Sequence, residues 1–484
     1  MYTCPVKSWW QKNWQKVGIF VGSLLLLLLL FLSFLGWQIY RDSKVLLQGL
    51  KSSAQVDTKI TQSLNSDIDK LFTVLKLPVI HQLTQVLDLD FSPIKADIQT
   101  IISASPALAG DEGAKQYLVA FQNTAEARGP GGILGAYALL ELKNGELSVV
   151  KTGSNAGLQH NGEIPIKMPD EFMRVYGKNP AIWQNSNLSP HFPYGAMIWK
   201  ATWEQQFGGD LDGVIGIDPT AISYMLNATG EIVLPSGEKI NSQNVVDQTL
   251  SNAYKLYEKD NNARKEYLVQ IMNATFTKLL ANDFNKVKMA KAIKQAILEN
   301  RLLIYSTDKK VQSEMEKSKL GGALQIIPNN EYRVVIQNID ASKLDYYLDR
   351  QIVVESKSCS VPRQTQVVAT VTNNVTNAAD LPPYVLTRAD KNKPKNLITG
   401  QHRFKVFIYG PVDGKLISAS RSTPGANLGG GATERARPLY TTDVDLAPNQ
   451  SETILANFEG GSGKITYVDQ PLVRKTQISI KDKC

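Results

Sequence analysis

Residues 214–227 read VIGIDPTAISYMLN, and this stretch decides the fold class. Val214–Ile217 is a short apolar run that predicts a buried strand, and Asp218–Pro219 ends it. Thr220–Asn227 then has the apolar spacing of a helix. Strands and helices alternate in this way over residues 111–328, which predicts an α/β domain with a mixed sheet and helices.

The pattern turns to β after this domain. Over residues 329–484, short runs rich in Val, Ile and aromatic residues are separated by Pro, Gly or Asn clusters, which predicts an immunoglobulin-like β-sandwich. Cys359 follows one run and Cys484 ends the chain. In an oxidising compartment we expect a Cys359–Cys484 disulfide, and two free thiols are the alternative.

The N-terminal part indicates a membrane anchor. Residues 17–40 form a run of 24 residues without a charge, long enough for a transmembrane helix. We prefer an uncleaved anchor to a cleaved signal peptide because no A-x-A-like site follows it. Basic residues flank both sides almost equally, and we expect residues 1–16 to be cytoplasmic because so long a remainder is most simply exported.

Residues 41–110 predict a helical stalk with one apolar stripe. The stripe is compatible with a coiled-coil dimer or with a helix that packs back on its own chain.

The amino-acid composition limits the classes of binding partner that we expect. There are 53 Lys+Arg against 45 Asp+Glu, a formal charge of +8, with 43% hydrophobic and 20% charged residues. This is globular composition, and its diffuse positive charge favours a lipid bilayer and an anionic cell-wall polymer over nucleic acid. Three cysteines without C-x-x-C spacing and four scattered histidines make a zinc site unexpected.

The segment Asn123–Gly135 is the most unusual local sequence. Glu126 and Arg128 stand two residues apart, and glycines follow. Glycine lets backbone N–H groups approach a phosphate closely, and an arginine adds a bidentate fork. The segment is not a P-loop, because G-K-[ST] is absent. A tight loop with a local Glu126–Arg128 salt bridge is the plainer interpretation. The candidate ligand-binding residues are Asn123, Gly131, Gly132, Gly135 and Asp218.

Two further features suggest ion binding. Asp210 and Asp212 stand beside glycines, and paired carboxylates of this kind can hold a divalent cation. Arg264 and Lys265 lie near the start of a predicted helix, where they could meet an anion. Solvated surface charge is the plainer interpretation of both features.

These motifs resemble the domain-of-unknown-function family 4012 from about Gln116 to the C-terminus. The matching segments, in order, are Tyr117–Asn123, Ala125–Arg128, Gly131–Gly135, Asp212–Pro219, Leu226–Gly230, Asn244–Val246, Tyr254, Arg264, Tyr305–Asp308, Leu320–Ala323 and Ser342–Tyr347. His191 and Gly129–Pro130 depart from the family pattern. The resemblance implies a bacterial envelope protein without an agreed activity.

The order of features is also remotely similar to the LytR-CpsA-Psr family, which transfers glycopolymers from polyprenyl pyrophosphate. This resemblance implies that Arg128 and Arg264 grip pyrophosphate and that Glu126 or Asp212 holds Mg²⁺ as part of a catalytic set. The Asp expected after the first Arg is missing. Two hypotheses follow: an extracytoplasmic glycopolymer transferase, or a non-catalytic surface module that binds envelope polymer or a partner protein. A hydrolase has no nucleophile to support it.

Overall fold

The computed structural model describes residues 62–63, 65–70, 95–100, 103 and 114–484, apart from 144–145, 282 and 390–394. The expected cytoplasmic segment and transmembrane helix, and most of the expected stalk, lie outside the described residues. Among the described residues, no helix is both long and apolar enough to cross a membrane.

The chain divides into two compact units. The first unit comprises residues 1–113 and 143–146. Its described residues 65–70 and 95–100 are helical, and Gln99 donates a hydrogen bond to Asp69 (3.2 Å). Residues 114–142 and 147–484 form the second unit, which contains every site discussed below.

The first part of the second unit is a mixed α/β structure. Its strands are β1 (Lys115–Arg128), β2 (Gly131–Lys143), β3 (Glu146–Ser154), β4 (Gly213–Ile217), β5 (Ile232–Val233), β6 (Lys239–Ile240) and β7 (Leu302–Ser306). Five of them form one sheet in the order β3-β2-β1-β4-β7. The parallel partner of β1 is β4, and its antiparallel partner is β2. This alternation of strands and helices is the predicted fold class.

The second unit also contains helices. They are α1 (Asp170–Tyr176), α2 (Phe192–Phe207), α3 (Pro219–Thr229), α4 (Val245–Asp247), α5 (Ala253–Leu256), α6 (Asn261–Leu280), α7 (Lys286–Leu298), α8 (Lys309–Lys317) and, in the β-rich part, α9 (Pro383–Leu386). The sequence patterns miss α2, because it is buried around most of its circumference and shows no single apolar face. Phe192, Trp199 and Trp203 of α2 join the core beneath the sheet.

The C-terminal part is β-rich, as predicted. Its strands are β8 (Glu331–Asn338), β9 (Leu348–Ser358), β10 (Gln364–Asn373), β11 (His402–Tyr409), β12 (Lys415–Arg421), β13 (Gly430–Glu434), β14 (Arg437–Leu446), β15 (Ser451–Glu459), β16 (Thr466–Tyr467) and β17 (Gln477–Lys481). They form two sheets in the orders β12-β15-β10-β9-β17 and β13-β14-β11-β8-β16. Buried side chains of both sheets share one core, and Ala127 of β1 belongs to it.

A disulfide fixes the C-terminal strand. Cys359, after β9, is bonded to Cys484, with their Cα atoms 5.5 Å apart and a sequence separation of 125. The bond holds β17 where it pairs in parallel with β9.

Replacing both cysteines by serine lowers the free energy of unfolding by about 2–4 kcal/mol, because the unfolded chain regains the entropy of a long loop. Urea unfolding of the oxidised protein and the double variant measures this difference. Equal stability of the two proteins contradicts the expectation.

Candidate functional site

The end of β1 stays paired with β2 while it packs into the core of the β-rich part. Residues 124–126 bulge out of the ladder, because Asn123 pairs with Ile133 whereas Ala127 already pairs with Gly132. Such extra residues redirect the side chains of a strand. The bulge carries Glu126 into the interior, where the side chain is buried.

Both carboxylate oxygens of Glu126 are occupied. Oε1 accepts a hydrogen bond from Arg128 Nη2 (3.1 Å), and Oε2 accepts one from Lys343 Nζ. All three side chains are buried. Burial alone would lower the pKa of Lys343, but the Glu126 carboxylate outweighs this effect and raises it. Glu126 is therefore the counter-ion of two buried cations.

Arg128 uses all five of its N–H donors within the protein. Nε donates to Gln184 O (2.9 Å), Nη1 donates to Ala127 O (2.8 Å) and Asn338 O (3.2 Å), and Nη2 donates to Glu126 and to Asn185 Oδ1 (2.9 Å). Its guanidinium has no donor left for a phosphate. The plainer interpretation, a Glu126–Arg128 salt bridge, describes the structure, although these residues lie in a strand and not in a loop.

The glycines after Arg128 serve close packing. Gly131 and Gly132 pair with Arg128 and Ala127 in the β1–β2 ladder, so they belong to a strand and not to a phosphate-cradling loop. A Cβ on Gly132 would lie 2.0 Å from Asn123 O, and one on Gly129 would lie 2.4 Å from Ser189 O. Gly135 also lies within β2. The expectation of a Gly-rich ligand loop is therefore corrected.

A second buried network holds the same strand end from the other side. Asp345 Oδ2 accepts a hydrogen bond from Ala127 N (2.9 Å), and its Oδ1 lies 3.0 Å from His402 Nε2. His402 Nδ1 lies 3.1 Å from Asp340 Oδ2. Burial opposes protonation of His402, but Asp340 and Asp345 outweigh it and raise the pKa of His402 to about 10. The imidazolium therefore bridges two carboxylates.

Asp212 lies at the opposite end of β1. Its carboxylate accepts hydrogen bonds from Lys115 Nζ and from Gln116 N, both at 2.8 Å. Gln116 and Arg128 lie near the two ends of one strand, which places them about 40 Å apart at roughly 3.3 Å per residue. Asp212 therefore does not join Glu126 and Arg128 in one site.

Asp218 caps a helix. It accepts a hydrogen bond from Ala221 N (2.8 Å) at the start of α3, and it pairs with Arg301 Nη1 (2.5 Å). Both side chains are buried. The structure gives Asp218 a role in joining α3 to β7.

The residues do not fit the expected Mg²⁺ site. Each oxygen of Glu126 faces a cation, and Asp212 is remote from it. In the described part of the chain, no cluster of three or more His, Cys, Asp or Glu side chains could hold a metal ion.

Arg264 has a different environment from Arg128. It is 4% exposed, and its guanidinium carbon lies 4.6 Å from the ring centre of Tyr254 and 3.9 Å from that of Tyr384. The guanidinium donates one hydrogen bond to the described residues, and its acceptor is Asn261 Oδ1. The remaining guanidinium N–H groups have no protein acceptor in the described part of the chain. Arg264 therefore has donors available for an added anion.

Two lysines, Lys343 and Lys265, lie near Arg264 and its tyrosine rings. Lys343 Nζ lies 5.4 Å from the Tyr384 ring centre. Burial and the nearby Arg264 lower the pKa of Lys265. Tyr254 accepts a hydrogen bond from Asn123 Nδ2 (2.8 Å), which links this cluster to the bulged strand. We call Arg264, Lys265, Tyr254 and Tyr384 the arginine–tyrosine cluster.

Sequence reasoning missed Lys343, Tyr384 and His402. Lys343 lies in the motif Ser342–Tyr347, which carries part of the family resemblance but does not by itself indicate a role for the lysine charge. The contact between Lys343 and Glu126 spans 217 residues, and no local pattern reports such a contact. His191, a departure from the family pattern, is buried and accepts a hydrogen bond from Leu324 N (3.2 Å).

Comparison with known families tests the resemblance. Residues 112–254 match the family model described as "Protein of unknown function (DUF4012)". This segment of the chain is therefore similar to the DUF4012 family. The predicted family is thereby confirmed over this segment, which includes β1, the bulge and Tyr254. No curated protein matches the chain significantly.

Solved structures give only weak likenesses. The transcriptional regulator yvhJ from Bacillus subtilis is 13% identical, with 38% of this chain and 76% of that chain covered and a TM-score of 0.20. Lin1025 from Listeria innocua is 12% identical, with 46% and 86% covered and a TM-score of 0.24. With TM-scores this low, neither likeness supports a statement about the DUF4012 domain's fold or function.

Arg128→Ala lowers the free energy of unfolding by about 3–5 kcal/mol, because it leaves Glu126 with one buried counter-ion and several acceptors unpaired. Lys178→Ala, which breaks the exposed pair with Glu163, leaves the free energy of unfolding nearly unchanged. Denaturant unfolding of both variants checks the contrast. A cost for Arg128→Ala no larger than for the control contradicts the structural role.

The His402 network predicts a pH dependence of stability. The pKa of His402 is about 10 in the folded protein, above the usual 6.5, so its contribution is complete below pH 6.5 and is lost as pH rises towards 10. We expect His402→Gln to be less stable at pH 6 and to lose less stability between pH 6 and 10. Parallel stability curves for the two proteins contradict this assignment.

Proposed function

We propose that this protein is a membrane-anchored, extracytoplasmic protein of the bacterial envelope that binds a phosphate- or pyrophosphate-bearing ligand without transferring it. The finer sequence assignments, a LytR-CpsA-Psr-like α/β domain and an Ig-like sandwich, belong to this proposal. So does the cell-membrane location, which rests on residues 17–40.

The observation that carries the proposal is the contrast between the two arginines. Arg128 donates all five N–H groups to protein acceptors, whereas Arg264 donates to Asn261 and faces two tyrosine rings. A ligand phosphate needs unpaired donors, and a charge-assisted hydrogen bond to a guanidinium is among the stronger ones. The arginine–tyrosine cluster is therefore our anion-binding site.

The transferase hypothesis loses support from the same geometry. It needs Glu126 or Asp212 near the gripping arginine, yet Glu126 neutralises Lys343 and Arg128, and Asp212 lies at the far end of β1. Of the two hypotheses from the sequence, the non-catalytic module fits better, with envelope polymer or a lipid-linked precursor as its partner.

Binding of geranyl pyrophosphate to the full chain in detergent tests the proposal by calorimetric titration. We expect saturable binding without Mg²⁺ that weakens about tenfold or more in Arg264→Ala, since hydrogen bonds to charged groups contribute about 1.5–3 kcal/mol. Lys259→Ala, an exposed cation outside the cluster, serves as the control.

Two results contradict the proposal. One is unchanged affinity in a folded Arg264→Ala variant. The other is transfer of a glycopolymer from a polyprenyl pyrophosphate carrier by the wild-type protein, with loss of transfer in a folded Glu126→Gln variant.

A further inference from the structure

A cleft of about 530 Å³ lies where the α/β part meets the β-rich part. Gly129 and Pro130, which follow β1, line it, and so does Arg301, the partner of Asp218 at the end of β4. The cleft therefore lies at the carboxyl ends of the two parallel strands, which is where open α/β sheets bind ligands. Its volume is in the usual range of ligand clefts.

Buried and partly buried arginines form part of the lining, and carboxylates balance their charge. Arg301 pairs with Asp218 (2.5 Å) and with Glu299 (2.7 Å). Arg333 donates to Glu331 (2.9 Å). These pairs fix the shape of the cleft, and they leave little net charge in its depth.

The positive charge of the cleft is carried by its exposed lining. Seven basic residues line the cleft against three acidic ones, Glu299, Glu331 and Asp469. The exposed or half-exposed cations are Lys317 and Lys319 on one segment, and Arg474 and Lys475 on another.

Two of these cations have carboxylate partners that a ligand can replace. Glu314 accepts from Lys317 (2.6 Å), and Asp349 accepts from Arg474 (2.5 Å). Ion pairs of this exposure contribute about 0–1 kcal/mol, so an anionic ligand displaces them at small cost.

We propose that this cleft binds a linear sugar- or polyol-phosphate chain. Cations on two separate segments face a space much larger than one phosphate group fills, so a chain of repeating phosphates satisfies them better than a single anion. The inference rests on the proposed binding function for its envelope setting, but it concerns a site other than the arginine–tyrosine cluster.

The lining disfavours nucleic acid as the occupant. Proteins that hold single strands stack the bases on aromatic side chains. Among the described residues that line this cleft, Tyr467 is the one aromatic residue, and burial raises its hydroxyl pKa well above the usual value. A phosphate chain without bases needs no stacking surface.

A paired charge-reversal experiment on the full chain tests the inference. Lys317→Glu with Lys475→Glu reverses two exposed cations of the cleft, and Lys259→Glu with Lys415→Glu makes the same charge change at exposed positions outside it. The probe is a synthetic oligo(glycerol phosphate), with the phosphate-free oligo(glycerol), inorganic phosphate and single-stranded DNA for comparison.

We expect the oligo(glycerol phosphate) to bind the wild type and the control variant alike, and to bind the cleft variant about tenfold or more weakly. Added salt weakens binding because the contacts are exposed charges. Binding of geranyl pyrophosphate remains equal in all three proteins.

Equal weakening in both double variants overturns the inference, because it indicates non-specific charge attraction. Binding of inorganic phosphate as tight as that of the oligomer also overturns it, as does tighter binding of DNA. Should Arg264→Ala abolish binding of geranyl pyrophosphate while the cleft variant binds the oligomer normally, the inference fails and the proposed function stands. Should Arg264→Ala bind geranyl pyrophosphate normally while the cleft variant loses binding of the oligomer, the proposed function fails and the inference about the cleft stands.

Discussion

The buried contact between Glu126 and Lys343 is the interaction on which the rest of the second unit depends. Glu126 belongs to the first strand of the mixed sheet, and Lys343 belongs to the segment between two strands of the β-rich part. Arg128 extends the contact to Gln184, Asn185 and Asn338. Charges that are removed from water require partners, so this triad positions both parts relative to each other.

The same contact decides where a ligand can bind. The end of β1 packs into the β-rich part, and there Arg128 donates all of its guanidinium N–H groups to protein acceptors. It therefore has none left for a pyrophosphate. Two other places remain as candidate binding sites. One is the arginine–tyrosine cluster, which Asn123 ties to the bulge through Tyr254. The other is the cleft beside Gly129 and Pro130.

Local sequence patterns predicted the elements whose burial is one-sided or whose ends carry clear signals. Val214–Ile217 and the helix after Pro219 are of this kind, because Asp218 both ends the strand and caps the helix. The sequence patterns did not predict the helix Phe192–Phe207, because it is buried on most of its sides and shows no single apolar face. The glycines after Arg128 suggested a ligand loop because the sequence does not show that Gly129 packs against Ser189, which lies much later in the chain.

The structure places the candidate residues from the sequence in different surroundings. Asn123, Glu126, Arg128 and Arg264 lie in connected networks, whereas Asp212 lies elsewhere and Gly135 is an ordinary strand residue. The missing information was the partner set, since Lys343 and Tyr384 come from far along the chain. A lysine in a motif such as Ser342–Tyr347 can be recognised as a buried counter-ion only after a buried carboxylate near it has been identified.

A double-mutant cycle between Glu126→Gln and Lys343→Met tests the central claim most directly. Denaturant unfolding of the wild type, both single variants and the double variant gives the coupling free energy between the two positions. The account predicts a coupling of about 1–3 kcal/mol, with the double variant much less destabilised than the sum of the single ones. A coupling near zero would mean that the two side chains do not depend on each other, and it would contradict the account.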